Sequence, residues 1–436
     1  MKLISALLFY LFFFGNLESK KIFNAKEFYL DNGLRVIVVE NKRAPVVSQM
    51  IWYNFGSGVE RKGQSGLAHF MEHLMFKGTS NFPKNYYSNF ISRVGGSENA
   101  FTSYDYTAYF QIFPSQHTEK IIEMEADRMK NIILDKDLVE TEKLVILEER
   151  YQRIDSDPSS ILDESMKSIL FPNDYYGRPI IGWKSEIENL SYENVIDFYK
   201  KNYGPNNAVL ILSGDIDLDS AKSLTKKYYG AIDRVDDTKK HTTQNPLMKT
   251  SVFVEHSNKD IRQSIWKKLY RTKSYTDSII DGIALDIGLK ILMGGSSSLL
   301  YDKLVNDKKI FSMVGGFYQG LSKGDGYIYV YAIPVQEITP RKINNLLNDE
   351  IKSSINNITK EMIEIEKKKY IHNSVYRMDG ILKPSEIIGE AISVGLELDD
   401  IENWNQNLKR IDMKMVKDSL TKFYNNKDFV IGNLIN

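Results

Sequence analysis

The sequence predicts an α/β fold of two similar domains, each a mixed, largely antiparallel sheet layered with helices. Three observations lead there. Strand-like patterns alternate with long amphipathic helical patterns along the chain. A length of 436 residues exceeds what one ordinary core fills and suggests two domains of about 200 residues each. The last segment, from Phe423-Tyr424 to Phe429-Val430-Ile431-Gly432, echoes the stretch from Tyr203 to Gly214, as a degenerate duplication would.

Residues 1–19 read as an export signal: Lys2, an apolar run from Leu3 to Phe14, then Gly-Asn-Leu-Glu-Ser. The run is too short to span a bilayer comfortably. It contains no arginine and is not amphipathic, so it does not resemble a mitochondrial transit peptide, and export to a periplasm is the expectation. Leu17, not alanine, stands two before Ser19, a poor cleavage site, so an uncleaved N-terminal membrane anchor is the alternative. Residues 24–232 then form the first domain. Residues 27–40 read as a hairpin turning at Asn32-Gly33, and 46–53 as a strand. A helix around residues 67–75 follows. Residues 99–113 alternate as an edge-type strand, 138–153 form a helix, and the apolar run 206–213 closes the domain. Residues 233–245 (DRVDDTKKHTTQN) are a charged, polar linker. The second domain, 246–436, opens with strands at 251–255 and 264–270. A helix at 276–293, the Gly294-Gly295-Ser296-Ser297-Ser298 stretch, a strand at 327–333 and further helices complete it.

Lysine and arginine number 57, as do aspartate and glutamate, so no nucleic-acid or acidic-membrane partner is implied. Cysteine is absent, which removes disulfide and thiol chemistry and fits either redox compartment. The composition is that of a globular enzyme.

Chemistry concentrates in His69-Phe70-Met71-Glu72-His73. Two imidazoles four apart on a helix share one face with a glutamate between them. This H-x-x-E-H order is a zinc-hydrolase signature, in which the histidines bind Zn²⁺ and the glutamate handles the proton of the attacking water. The bland reading is a helix that happens to carry two of the chain's six histidines. Against it, Leu67, Phe70, Met71, Leu74 and Met75 give the segment an apolar stripe, which buries histidines where unpaired polar groups are costly. A third ligand is needed. In the 138–153 helix, Glu142, Val145, Ile146 and Glu149 fall at i, i+3, i+4 and i+7, and glutamate is rarely buried without a partner or cation. Glu149 is the candidate ligand and Glu142 a carboxylate that orients a ligand imidazole. Glu148 remains an alternative ligand, and a solvated Glu/Lys-rich helix the alternative reading of the segment. The second domain has no H-x-x-E-H, so one zinc per chain is expected.

Several stretches together resemble the pitrilysin, insulin-degrading enzyme and mitochondrial processing peptidase family in its short two-domain bacterial form. They are Gly66 to Thr79, Gly95-Gly96-Ser97-Glu98-Asn99-Ala100-Phe101-Thr102, Leu147-Glu148-Glu149-Arg150, Tyr203-Gly204-Pro205-Asn206-Asn207-Ala208 and Gly214-Asp215. The resemblance implies a zinc metalloendopeptidase acting on unfolded peptides, with Glu72 catalytic. It favours Glu149, seven positions after Glu142, as the metal ligand. It also implies that Asn99, Ala100, Phe101 and Thr102 bind substrate by pairing with its backbone; without the resemblance the segment reads as an ordinary strand. Complete single-chain members carry an arginine and, seven residues later, a tyrosine, but those positions here are Val305 and Ser312. Nearby Lys303, Lys308, Lys309 and Phe311 offer no such pair. The expected partner is therefore a related subunit that carries the Arg/Tyr pair in a heterodimer. The alternative is a non-catalytic, chamber-forming structural subunit related to respiratory-complex core proteins, for which intact His69, Glu72, His73 and Glu149 have no evident use.

Overall fold

The computed structural model describes residues 21–236 and 245–436, with backbone alone at 374–379. The expected signal at 1–19 and residues 237–244 of the expected linker lie outside the described residues.

The first sheet contains β1 (Lys26–Tyr29), β2 (Arg35–Glu40), β3 (Val46–Tyr53), β4 (Ser97–Thr102), β5 (Thr107–Pro114) and β6 (Ala208–Gly214), in spatial order β1-β2-β6-β3-β5-β4. Only β2 and β6 run parallel. The second contains β7 (Val252–Ser257), β8 (Ile265–Thr272), β9 (Phe311–Gln319), β10 (Gly326–Pro334) and β11 (Phe429–Ile435), in order β7-β11-β8-β10-β9. Here β7 and β11 are the parallel pair. Strand for strand, β2-β6-β3-β5-β4 corresponds to β7-β11-β8-β10-β9. The two segments that echo each other in sequence are β6 and β11, which occupy the same place in their sheets.

Three local expectations need correction. The first hairpin closes where Leu30 N donates to Leu34 O (3.0 Å), so three residues, 31–33, turn the chain where the Asn32-Gly33 signal suggested two; Gly33 still takes the positive φ, +91°. The 99–113 strand is two strands, β4 and β5, folded at residues 103–106. Strand β9 was not foreseen, because Gly315-Gly316 at its centre breaks the strand pattern. A Cβ on Gly316 would lie 2.4 Å from Met293 Sδ, so that glycine lets the helix Ile279–Met293 pack directly on the strand.

The central strands of each sheet are buried on both faces, and each half of the chain covers part of the other. One face of the first sheet (Val36, Val38, Val47, Ile51, Leu210, Leu212) packs under its own helices, including α1 (Leu67–Leu74). The opposite face (Ile37, Met50, Trp52, Ile211) joins the core of the second half, beneath the helix Lys383–Val394. In return, the first half's helices continue past α2 (Tyr86–Arg93), α3 (Thr118–Lys130) and α4 (Lys136–Arg150) to α5 (Pro158–Leu170), which crosses over. Its Leu162, Met166 and Leu170 lie against Leu269, Val430 and Leu434 of the second sheet. Glycines permit both crossings: a Cβ on Gly389 would sit 2.0 Å from Trp52 Nε1, and one on Gly432 would sit 2.2 Å from Met166 Sδ. Gly389→Val is accordingly expected to destabilise the protein by about 1–3 kcal/mol, measured by denaturant unfolding, through overpacking against the Trp52 indole.

Candidate functional site

Helix α1 starts where the chain turns through Gly66 at φ +88°, and a Cβ there would lie 2.4 Å from the carbonyl oxygen of Ile181. Its free N-terminal amides are met by the buried Glu60 carboxylate, which accepts from Gly66 N (3.1 Å) and Ala68 N (2.8 Å). Leu67, Phe70, Met71 and Leu74 bury one face, and with them goes His69, 8% exposed. Helix α4 starts on an Asp135 cap that accepts from Leu138 N at 2.7 Å, and it runs on through a π-helical turn, Tyr151–Asp155. That turn begins two residues after Glu149, and such π-helical turns are common at functional sites.

The two helices bring His69, His73 and Glu149 together. Glu149 Oε2 lies 3.6 Å from His69 Nε2 and 3.2 Å from His73 Nε2, and one ligand atom from each residue falls within 4.8 Å of the others. Glu142 stands behind His73: its Oε1 accepts from Nδ1 at 2.9 Å, and its Oε2 takes Lys77 Nζ at 2.6 Å. Glu148 is not one of the three grouped residues and accepts from Gln152 Nε2 at 2.7 Å. Glu149 Oε1 pairs with Arg153 at 2.9 Å, which leaves Oε2 for the histidines. Glu72 does not join this cluster; it accepts from the Thr102 hydroxyl at 2.6 Å. His69 Nδ1 is buried with no hydrogen-bond partner among the described residues.

Burial disfavours the charged form of both imidazoles. For His69 it prevails, together with the neighbouring His73, and brings the pKa down to about 4. For His73 the hydrogen bonds to Glu142 and Glu149 outweigh burial and push it up to about 9. The His73 hydrogen bond holds Glu149 below the usual carboxylate range, while burial pushes Glu72 up. Two carboxylates thus face the His73 ring, Glu142 at Nδ1 and Glu149 at Nε2. Two imidazole nitrogens and a carboxylate oxygen around one point are a donor set that zinc accepts, and a divalent cation satisfies the same charge balance.

The cluster opens onto a cleft of about 1060 Å³. One wall is β4, the last strand in its sheet, with Asn99, Ala100, Phe101 and Thr102 along the opening. Ala100 N donates to the Asn99 side chain (Oδ1, 2.9 Å). The other wall comprises Glu148, Gln152 and Arg153 with Asp163, Glu164 and Lys167 of α5. Among the described residues, none of the second half lines it. Val305 is half-buried in a π-helical turn, Asp302–Asp307. Ser312 is exposed, accepting from Gln263 Nε2 (3.1 Å) and donating to Ile333 O (3.2 Å). Sequence reasoning missed three contacts: Thr102 on Glu72, Lys77 on Glu142 and Arg153 on Glu149. Only the last had a usable signal, the i,i+4 spacing of Glu149 and Arg153.

Residues 35–184 match the model of the insulinase family (peptidase family M16), and 189–370 match that of the M16 inactive domain. The zinc protease PqqE of Helicobacter pylori is 30% identical over 311 residues, covering 69% of this chain and 68% of that protein. The chain belongs to the insulinase family, M16. Another M16 relative, the mitochondrial-processing peptidase subunit beta of Blastocladiella emersonii, is 30% identical over 203 residues, 47% of this chain and 43% of its own length. Among solved structures, the crystal structure of a protease from Helicobacter pylori superposes with a TM-score of 0.88 at 22% identity, covering 94% of this chain and 99% of that one. The two-sheet architecture is thus the M16 architecture, and the chain's relatives include zinc proteases.

Proposed function

We propose that this chain is a zinc-dependent endopeptidase, or the catalytic subunit of one, that hydrolyses unfolded peptides. The observation that carries this reading is the convergence of His69 Nε2, His73 Nε2 and Glu149 Oε2 at the foot of a cleft whose wall is β4, the edge strand of its sheet among the described residues. His69, His73 and Glu149 would hold one zinc per chain. When bound, zinc supplies Lewis acidity that polarises a peptide carbonyl and makes water easier to deprotonate. The rest falls to the protein. Glu72 accepts the proton of the attacking water and returns it to the leaving amine. Glu142 fixes the His73 ring through Nδ1 so that Nε2 faces the cluster. Strand β4, at Asn99, Ala100, Phe101 and Thr102, takes up the substrate backbone as an added strand, which requires an extended, unfolded chain.

The missing Arg/Tyr pair leads to a heterodimer with a related subunit, and one M16 relative is itself named as a subunit. The apolar N-terminal run supports export to a periplasm; among the described residues no helix is long and apolar enough to cross a membrane. The test is peptide cleavage by the purified chain, alone and with a co-encoded relative, with and without a chelator. Chelator-sensitive cleavage is expected, with unfolded peptides cut in preference to stably folded proteins; cleavage indifferent to chelator would refute the proposal. His73→Ala is expected to lose zinc, read by metal analysis, together with activity, whereas Glu148→Gln should retain both.

A further inference from the structure

The turn that ends β4 is gripped from both halves of the chain. From the first half, Ser57 N and Gly58 N donate to the carbonyls of Ser103 (3.0 Å) and Tyr104 (2.8 Å). A Cβ on Gly56 would lie 2.0 Å from Ser103 O, so glycine is required for that approach. From the second half, the loop between β9 and β10 reaches across. Lys323 N donates to Asp105 Oδ2 (3.1 Å), and Lys323 Nζ to the carbonyls of Asn54 (2.6 Å) and Asp105 (2.9 Å). Gly324 N donates to the Tyr176 hydroxyl (3.0 Å), which itself donates to Asp105 Oδ2 (2.7 Å), while the Tyr175 hydroxyl serves Oδ1 (2.8 Å). Asp105 is 5% exposed, so its carboxylate depends on these donors.

Three residues upstream, Thr102 ends β4 with its hydroxyl on Glu72 Oε2 at 2.6 Å, a charge-assisted geometry. Among the described residues it is the one hydrogen-bond donor to that carboxylate. We propose that the second half of the chain positions Glu72 through this turn: Lys323 fixes Asp105, the turn fixes the end of β4, and Thr102 fixes the carboxylate. The second half, which among its described residues brings none to the cleft, then still acts on the chemistry. Thr102 and Lys323 are positioning residues, and the inference rests on Glu72 being the proton acceptor.

Steady-state hydrolysis of an unfolded peptide, zinc content and backbone hydrogen exchange of the full chain test this together. Thr102→Val and Lys323→Ala are each expected to lower kcat roughly 10- to 100-fold, the cost of a small misplacement of a catalytic group, with KM little changed and zinc retained. Thr102→Ser should restore kcat. The double variant should be no worse than the weaker single variant, because both act through one path. Lys323→Ala should also speed exchange at residues 100–106. Wild-type kcat in Thr102→Val, multiplicative losses in the double variant, or unchanged exchange at the turn would overturn the proposal. Glu72→Gln separates the two levels. If it stays active, the assignment of Glu72 fails and this inference with it; if it is inactive while Thr102→Val keeps wild-type kcat, only this inference fails.

Discussion

Glu72→Gln is expected to keep its zinc and lose peptide hydrolysis by roughly two to four orders of magnitude, the usual worth of a positioned general base. The substitution preserves the shape and the capacity to accept from Thr102, but an amide cannot take a proton from water. Zinc is retained because Glu72 stands apart from the metal cluster: its carboxylate is engaged by Thr102, while the carboxylate near both imidazoles is Glu149. Metal analysis beside a peptide assay checks both halves. Loss of zinc in this variant would show that Glu72 is a ligand and that the division of roles is wrong.

The second large effect concerns the partner. The tetrahedral oxyanion of peptide hydrolysis needs hydrogen-bond donors, and loss of one such donor typically costs roughly two to three orders of magnitude in rate. The family's Arg and Tyr positions here hold valine, which has no side-chain donor, and a serine hydroxyl already committed to Ile333 O. Neither Val305 nor Ser312 lines the cleft. A second copy of the chain would bring the same deficient surface. The zinc-loaded chain alone is therefore expected to be slow by about that factor, and to gain it on mixing with a related subunit that lacks H-x-x-E-H but carries the Arg/Tyr pair. Full activity of the chain as a monomer or homodimer would show that the pair is dispensable.

What the sequence revealed and what it hid follow from the range of the interactions. His69, Glu72 and His73 are legible because a helix fixes which residues share a face over four positions, and Glu142 and Glu149 because the same period carries over two turns. The choice between Glu148 and Glu149 was open in the pattern, since the two are adjacent, and the π-helical turn beginning at Tyr151 left no trace there. Fold duplication showed through β6 and β11, whose fully buried positions demand nearly continuous apolar runs. The break between β4 and β5 was hidden because residues 103–106 (Ser-Tyr-Asp-Tyr) contain neither glycine nor proline. The exchange of α5 and the helix Lys383–Val394 between the two sheets, and the Lys323 contact with Asp105, join residues far apart in sequence. No local pattern encodes such pairings.

The most direct test of the central claim is anomalous diffraction at the zinc edge from crystals of the zinc-loaded chain. One peak per chain, bounded by His69 Nε2, His73 Nε2 and a Glu149 carboxylate oxygen, is the expected result. A peak at Glu148, a peak in the second half of the chain, or no zinc at the His69/His73 face would contradict it.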